Sequence, residues 1–164
     1  MSRLFFVSAL SSTLLISTAH AAQSSFFADL SGSWSGSGQA YLKKFGEVSA
    51  SCRLAVTGAE MQLAMQGSCG LLVIRRSLEL TIKSAGGNRY MGTYTGSTTG
   101  PAMLEGTLQG DRLVLNIKWG GLVNGDRIAQ MVLERTGPNS FAQTVNDKVA
   151  GINRRTSSFV FKRR

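Results

Sequence analysis

The sequence predicts an all-β protein, an antiparallel up-and-down meander closed into a barrel of about eight to ten strands. Three observations carry that expectation. Apolar and polar residues alternate with a period of two through segment after segment. A turn signal follows nearly every such segment, which leaves little room for crossover helices, so sequential strands pair as a meander. A meander left open exposes two edges, and closure removes them. A two-sheet sandwich is the alternative arrangement.

The first element is Leu30–Ala40, LSGSWSGSGQA. Its serines and glycines give it the composition of a flexible tether, but its residues are sorted. Leu30, Gly32, Trp34, Gly36, Gly38 and Ala40 fall on one face, and Ser31, Ser33, Ser35, Ser37 and Gln39 on the other. A tether has no reason to sort them, whereas a half-buried strand does. Inward glycines suit a strongly coiled strand, where side chains would collide.

Glu47–Thr57 alternates in the same way, with Val48, Ala50, Cys52, Leu54 and Val56 inward. After the turn at 58–60, Met61, Leu63, Met65, Gly67 and Cys69 share a face. The two segments therefore read as a hairpin with both cysteines on its apolar side. A tight register is not expected to set the cysteines directly opposite, which places Cys69 just past the strand end. Leu71–Lys83 opens on an apolar run and the pair Arg75-Arg76. A short helix or a bulge fits there before Leu78, Leu80 and Ile82 resume the alternation. Tyr90–Gly96, Ala102–Gln109, Arg112–Trp119, Arg127–Arg135, Phe141–Asn146 and Ser158–Lys162 follow, set off by turn residues. In Arg112–Trp119, Leu113, Leu115, Ile117 and Trp119 face in and Asn116 faces out. No break in composition marks a second domain, so 22–164 reads as one barrel domain with a basic C-terminal end.

Residues 1–21 read as a secretory signal peptide. Arg3 precedes the largely apolar Leu4–Ile16, and Ala19-His20-Ala21 fits the small-x-small cleavage rule. No later stretch is long and apolar enough to serve as a transmembrane helix. The expected product starts near Ala22 and is periplasmic or secreted. The leader carries off the single histidine and one arginine, so the formal charge of +9 falls by one. Cys52 and Cys69 then meet an oxidising compartment and are expected to form a disulfide. Closing a loop of that length stabilises a fold by about 3 kcal/mol. Their spacing fits neither a redox CxxC nor a zinc pattern.

Gly32-Ser33-Trp34, at the start of the first strand, resembles the G-x-W opening of the calycins, the lipocalin, avidin and fatty-acid-binding superfamily. GTYTG at 92–96 looks like an avidin-type strand. The resemblance implies a barrel in which Trp34 packs across the closed end beneath an arginine, either Arg163 or Arg135. The biotin-contacting pattern of avidins does not map onto this chain, so biotin is not carried over. A second likeness is to secreted bacterial metalloprotease inhibitors, small barrels with an early L-x-G-x-W and a disulfide between positions near the second and third strands. Leu30, Gly32, Trp34, Cys52 and Cys69 match that layout. The inhibitory tail of that family is not recognisable in AQSSFFADL.

The chemistry narrows further by what is missing. With the histidine removed and both thiols bridged, neither a Ser-His-Asp nor a Cys-His arrangement forms. The nine carboxylates fall mostly in turns or on outward positions, with no sequence pairing that suggests an acid/base couple. No GxGxxG phosphate loop occurs. The protein is expected not to be an enzyme, to use no cofactor and to bind no metal.

Trp119, Tyr90, Tyr94 and Met131 are the candidate ligand-binding residues. Tyr90 and Tyr94 share a face with Gly92 and Gly96; turned inward, their hydroxyls line a cavity, and turned outward they are strand surface. Arg75, Arg76, Arg154, Arg155, Lys162, Arg163 and Arg164 form the basic surface. Such charge either docks an anionic envelope component or an acidic protein, or serves as an ordinary solvated face. Nucleic acid is not expected of an exported protein without an aromatic-basic face. The expected function is non-catalytic binding of a small apolar or amphipathic ligand. The alternative is a protein-binding module, a protease inhibitor or an envelope partner, acting through its basic surface.

Overall fold

The computed structural model describes residues 26–71 and 73–164. The expected leader, 1–21, lies outside the described residues. Ten antiparallel strands close into one barrel in simple sequential order, which excludes the sandwich. They are β1 (Gly32–Leu42), β2 (Gly46–Ala59), β3 (Gln62–Leu71), β4 (Ile74–Ser84), β5 (Arg89–Thr95), β6 (Ala102–Gln109), β7 (Arg112–Val123), β8 (Asp126–Gly137), β9 (Ser140–Val149) and β10 (Ile152–Arg163). Closure comes from β1 pairing with β10, from Trp34 opposite Arg163 to Ala40 opposite Ser157. Every strand therefore has two hydrogen-bonded neighbours and no edge is left open. Among the described residues no helix is long and apolar enough to cross a membrane.

The alternation reads directly as burial. In β2, Ala50, Cys52, Leu54 and Val56 are buried between exposed neighbours. In β7, Leu113, Leu115, Ile117 and Trp119 are buried, and Asn116 is exposed. The tether-like opening of β1 has a specific packing reason. A Cβ built on Gly36 would lie 2.4 Å from the Phe161 ring of the neighbouring strand. Glycine there gives the β10 aromatics the space a side chain would occupy. Phe161 in turn stacks on Phe141 with ring centroids 4.6 Å apart.

Several expectations need correction. Cys52 and Cys69 are directly opposite in the β2–β3 register and form the disulfide with Cα atoms 4.0 Å apart. The two-residue turn Glu60-Met61 sets Ala59 opposite Gln62, and the same register carries Cys69 inside β3, opposite Cys52, rather than past its end. Where a short helix or bulge was expected ahead of β4, Leu71 pairs directly with Ile74 in the β3–β4 register. β9 continues past Asn146 to Val149, and β10 begins at Ile152 rather than Ser158. Ala150-Gly151, both at positive φ, form the tight turn between them. A bulge between Arg155 and Ser157 breaks the alternation of β10 and hid its first half.

One end of the barrel is plugged. Residues 26–29 form a single helical turn, and Phe26, Phe27 and Leu30 from it are buried in the barrel end. The Ser31 hydroxyl donates to the Gly58 carbonyl at 2.9 Å and accepts the Gly58 N–H at 2.8 Å. Trp34 lies beneath, its indole N–H donating to the Leu30 carbonyl at 2.9 Å. Arg163 covers Trp34, with its guanidinium carbon 4.4 Å from the ring centroid. The same guanidinium donates to the carbonyls of Ser31 and, at 2.6 Å, of Asp29. Arg135 does not cover the tryptophan; it pairs with Asp29 and with Asp111.

Arg163→Met is expected to destabilise the protein by about 2–4 kcal/mol, because two charged hydrogen bonds and a cation–π contact are lost together. Urea unfolding followed by near-ultraviolet circular dichroism checks this. Arg135→Met, which leaves the Trp34 cover in place, is expected to cost less than about 1 kcal/mol.

Candidate functional site

The up-and-down order sends alternate hairpins to opposite ends. The β1–β2, β3–β4, β5–β6, β7–β8 and β9–β10 connections surround the end away from the plug. There the interior is hollow. A cavity of about 270 Å³ opens between the strand ends, room for roughly nine waters at liquid density. Its apolar wall comes from Leu78, Trp119, Val145 and Phe159. Tyr94, Gln143, Asn124, Asp147 and Arg76 bring polar groups to the same space. The Cys52–Cys69 disulfide stands in the wall through Cys69.

Each of these positions follows from the inward face of its strand. Tyr94 is the last inward side chain of β5, and Trp119 the last buried one of β7; their rings meet edge-on with centroids 6.3 Å apart. Val145 and Asp147 continue the inward set of β9 begun by Phe141, and both are buried. Arg76 continues the even-numbered inward row of Leu78, Leu80 and Ile82 on β4. It lies at the lip, where its guanidinium reaches the Ser97 carbonyl at 3.5 Å.

The polar groups are unequally satisfied. The Trp119 indole N–H is buried and has no hydrogen-bond partner among the described residues. Such a donor costs free energy unless something accepts it. Burial raises the Tyr94 hydroxyl pKa above the ordinary 10.0, and the nearby Arg76 charge pulls it back in part. Asp147 is a buried carboxyl whose Oδ2 accepts from the Asn124 amide at 3.0 Å and whose Oδ1 accepts its neighbour Lys148 N–H at 2.7 Å. Burial raises its pKa above 3.8, these two bonds oppose the shift, and the Asp126 charge adds to it.

Of the expected ligand residues, the structure brings Trp119 and Tyr94 together on this cavity. Tyr90 and Met131 do not line it. Tyr90 is four residues earlier on β5, ~13 Å away at the strand rise. It is fully buried at the plugged end, 5.1 Å from the Phe27 ring, and its hydroxyl has no partner among the described residues. Met131 is fully buried between Leu115 and Val145 of the flanking strands. The basic residues separate. Arg75, Arg76, Arg154 and Arg155 stand at the open end, and Lys162, Arg163 and Arg164 at the plugged end. Sequence reasoning missed Asp147, Gln143 and Arg76 as lining residues. The signal was present for all three, as the continuation of an alternation already seen in Phe141 and Val145 or in Leu78 and Leu80.

A wider depression of about 640 Å³ lies outside the plug, beside Asp29, Asp111, Arg135 and Arg163. Its charges already serve one another and the plug, so it leaves little for a ligand to satisfy.

Fold and site together define a plugged ten-strand antiparallel barrel with an apolar cup at its open end. No protein-family model matches the chain, and no curated protein does. Among solved structures it is similar to the crystal structure of Rv2717c from M. tuberculosis, with a TM-score of 0.63 over 83% of this chain and 93% of that one. At 13% identity the likeness extends to the fold alone.

Because the folded state holds the Asp147 pKa above its ordinary 3.8, the ionised carboxylate opposes folding at neutral pH. The penalty is relieved as pH falls through the folded-state pKa and is gone below the unfolded one. Asp147→Asn, with the Asn124 amide turned to accept, is therefore expected to be more stable than the parent at neutral pH. The difference should shrink on acidification and vanish below pH 3.8. Urea midpoints across that range measure it.

Proposed function

We propose that this protein is an exported, non-catalytic binding barrel that holds a small amphipathic ligand in the open-end cup. The observation that carries this reading is the cup itself, about 270 Å³ with an apolar wall of Leu78, Trp119, Val145 and Phe159. A ligand with an apolar body and one polar group would fill the cup, with Gln143 as one partner for that group. Tyr94 and Asp147 supply further polar partners beside it. The calycin kinship proposed from Gly32-Ser33-Trp34 is supported by the cover of Arg163 on Trp34 at the plugged end.

The non-catalytic part of the reading rests on how the reactive groups are engaged. Both cysteines are in the disulfide. The carboxyl oxygens of Asp147 are held by Asn124 and Lys148, and Asp126 Oδ1 accepts the Ile128 N–H at 2.9 Å. Both carboxyls thus accept hydrogen bonds from the turns and strand ends around them. Export is proposed from the leader pattern alone, and N-terminal sequencing of the protein as the cell processes it is expected to begin near Ala22.

Binding is tested by titration with naphthol, a two-ring fluorescent probe with one hydroxyl. Saturable binding is expected. Gln143→Leu keeps the bulk of the side chain but removes a polar partner for the probe's hydroxyl and should weaken affinity by about 3–10-fold. Ala40→Phe adds a ring at the half-buried lining position of β1 and should abolish binding without lowering the melting temperature. No saturable binding, or equal binding by both variants, would overturn the reading.

A further inference from the structure

The open end carries apolar side chains on the outside of its hairpins as well as in the cup. Val73 at the β3–β4 tip is 99% exposed, Ile152 at β9–β10 72%, Leu122 at β7–β8 68%, and Phe45 at β1–β2 64%. Four of the five hairpins at this end thus hold a large apolar side chain in water. The fifth connection, 96–101, is small and polar apart from Pro101. The connections at the plugged end, 60–61, 85–88, 110–111 and 138–139, hold none of the exposed large apolar residues. The feature belongs to one end and is not a general property of the turns.

Cations stand beside the same tips. Lys43 and Lys44 precede Phe45, Arg75 and Arg76 follow Val73, and Arg154 and Arg155 follow Ile152, all exposed. None of them is in an ion pair among the described residues; the pairs formed there are Arg112–Glu134, Arg135–Asp29 and Arg135–Asp111. Apolar points on separate hairpins, spaced around an opening, do not make the continuous patch of a rigid protein interface. They do suit a soft surface that each enters independently, with the cations at headgroup level.

We propose that the open rim is a docking surface for an anionic lipid bilayer, with Phe45, Val73, Leu122 and Ile152 inserted below the headgroups and the adjoining Lys and Arg residues against lipid phosphates. The barrel would then stand on its mouth, with the cup facing the membrane and the plug facing away. This inference does not rest on the cup being a ligand site.

The test is co-sedimentation of the protein, purified as the cell processes it, with phosphatidylcholine vesicles with and without phosphatidylglycerol. Binding is expected to the anionic vesicles, weakening as salt rises. The double variant Lys44→Glu/Arg75→Glu should lower partitioning at least about tenfold. Phe45→Ser/Val73→Ser should lower it by a similar factor while leaving the salt dependence in place. Lys162→Glu/Arg164→Glu, at the plugged end, should bind as the parent does. All these positions are exposed, so melting temperatures should be unchanged. No binding at low salt, or equal loss from the plugged-end variant, would overturn the proposal. So would an unchanged Phe45→Ser/Val73→Ser, since charge alone would then explain capture. Rim-dependent self-association in sedimentation velocity without vesicle binding would assign the surface to a second copy of the chain instead. Naphthol affinity is measured on the same variants, so loss of docking and loss of the cup are read separately.

Discussion

The barrel depends on how its two ends of chain are joined at the plugged end. Trp34 and Arg163 face each other across the β1–β10 seam, and the guanidinium lies on the indole. Both side chains then reach the carbonyls of the helical turn, Arg163 to Asp29 and Ser31, Trp34 to Leu30. The last carbonyls of a short helical turn have no partner within it, and buried they would cost several bonds' worth of free energy. Here they are met by two side chains that the closing register brings together. The same contact thus ties the seam, satisfies the plug and seats Phe26, Phe27 and Leu30 in the barrel end.

From that end the interior divides. Near the plug it is filled by aromatics that interlock, Trp34 against Phe141, Phe141 against Phe161, Phe27 against Tyr90. Gly36 on β1 makes this possible by ceding volume to the Phe161 ring on β10. Toward the open end no described residue forms a plug, and the inward row changes to Tyr94, Gln143, Asp147 and Arg76. A barrel of this size either fills with side chains or leaves room for one modest ligand. This one does the first in one half and the second in the other.

Charge follows the same axis. At the plugged end three arginines hold the fold, Arg135 with two aspartates, Arg112 with Glu134 and Arg163 with the plug, while Lys162 and Arg164 are exposed. At the open end the cations are exposed beside apolar tips. A single net charge conceals this arrangement, because it sums groups that hold the fold together with groups that face outward.

The alternation of small side chains against serines in LSGSWSGSGQA, and its repeats down the chain, determined the strands, their inward faces and the meander. Period-two burial is a local property, which is why it is legible without coordinates. The pairing of Cys52 with Cys69 was legible for a similar reason, both lying on one face of one hairpin, though their directly opposed register was not. Closure was not decided locally, because the β1–β10 contact joins residues from opposite ends of the chain. Neither was the boundary between packed and hollow interior. Tyr90 and Tyr94 occupy equivalent inward positions on β5, yet only Tyr94 reaches the cup. What separates them is the helical turn at 26–29, which fills one end with residues distant in sequence. Asp147 stayed hidden because the strand carrying it was read as ending at Asn146, three residues short of its end, and Arg76 because a charge at a lip looks in sequence like any surface charge. Which end a residue occupies is a property of the folded barrel, and tertiary structure alone decided it.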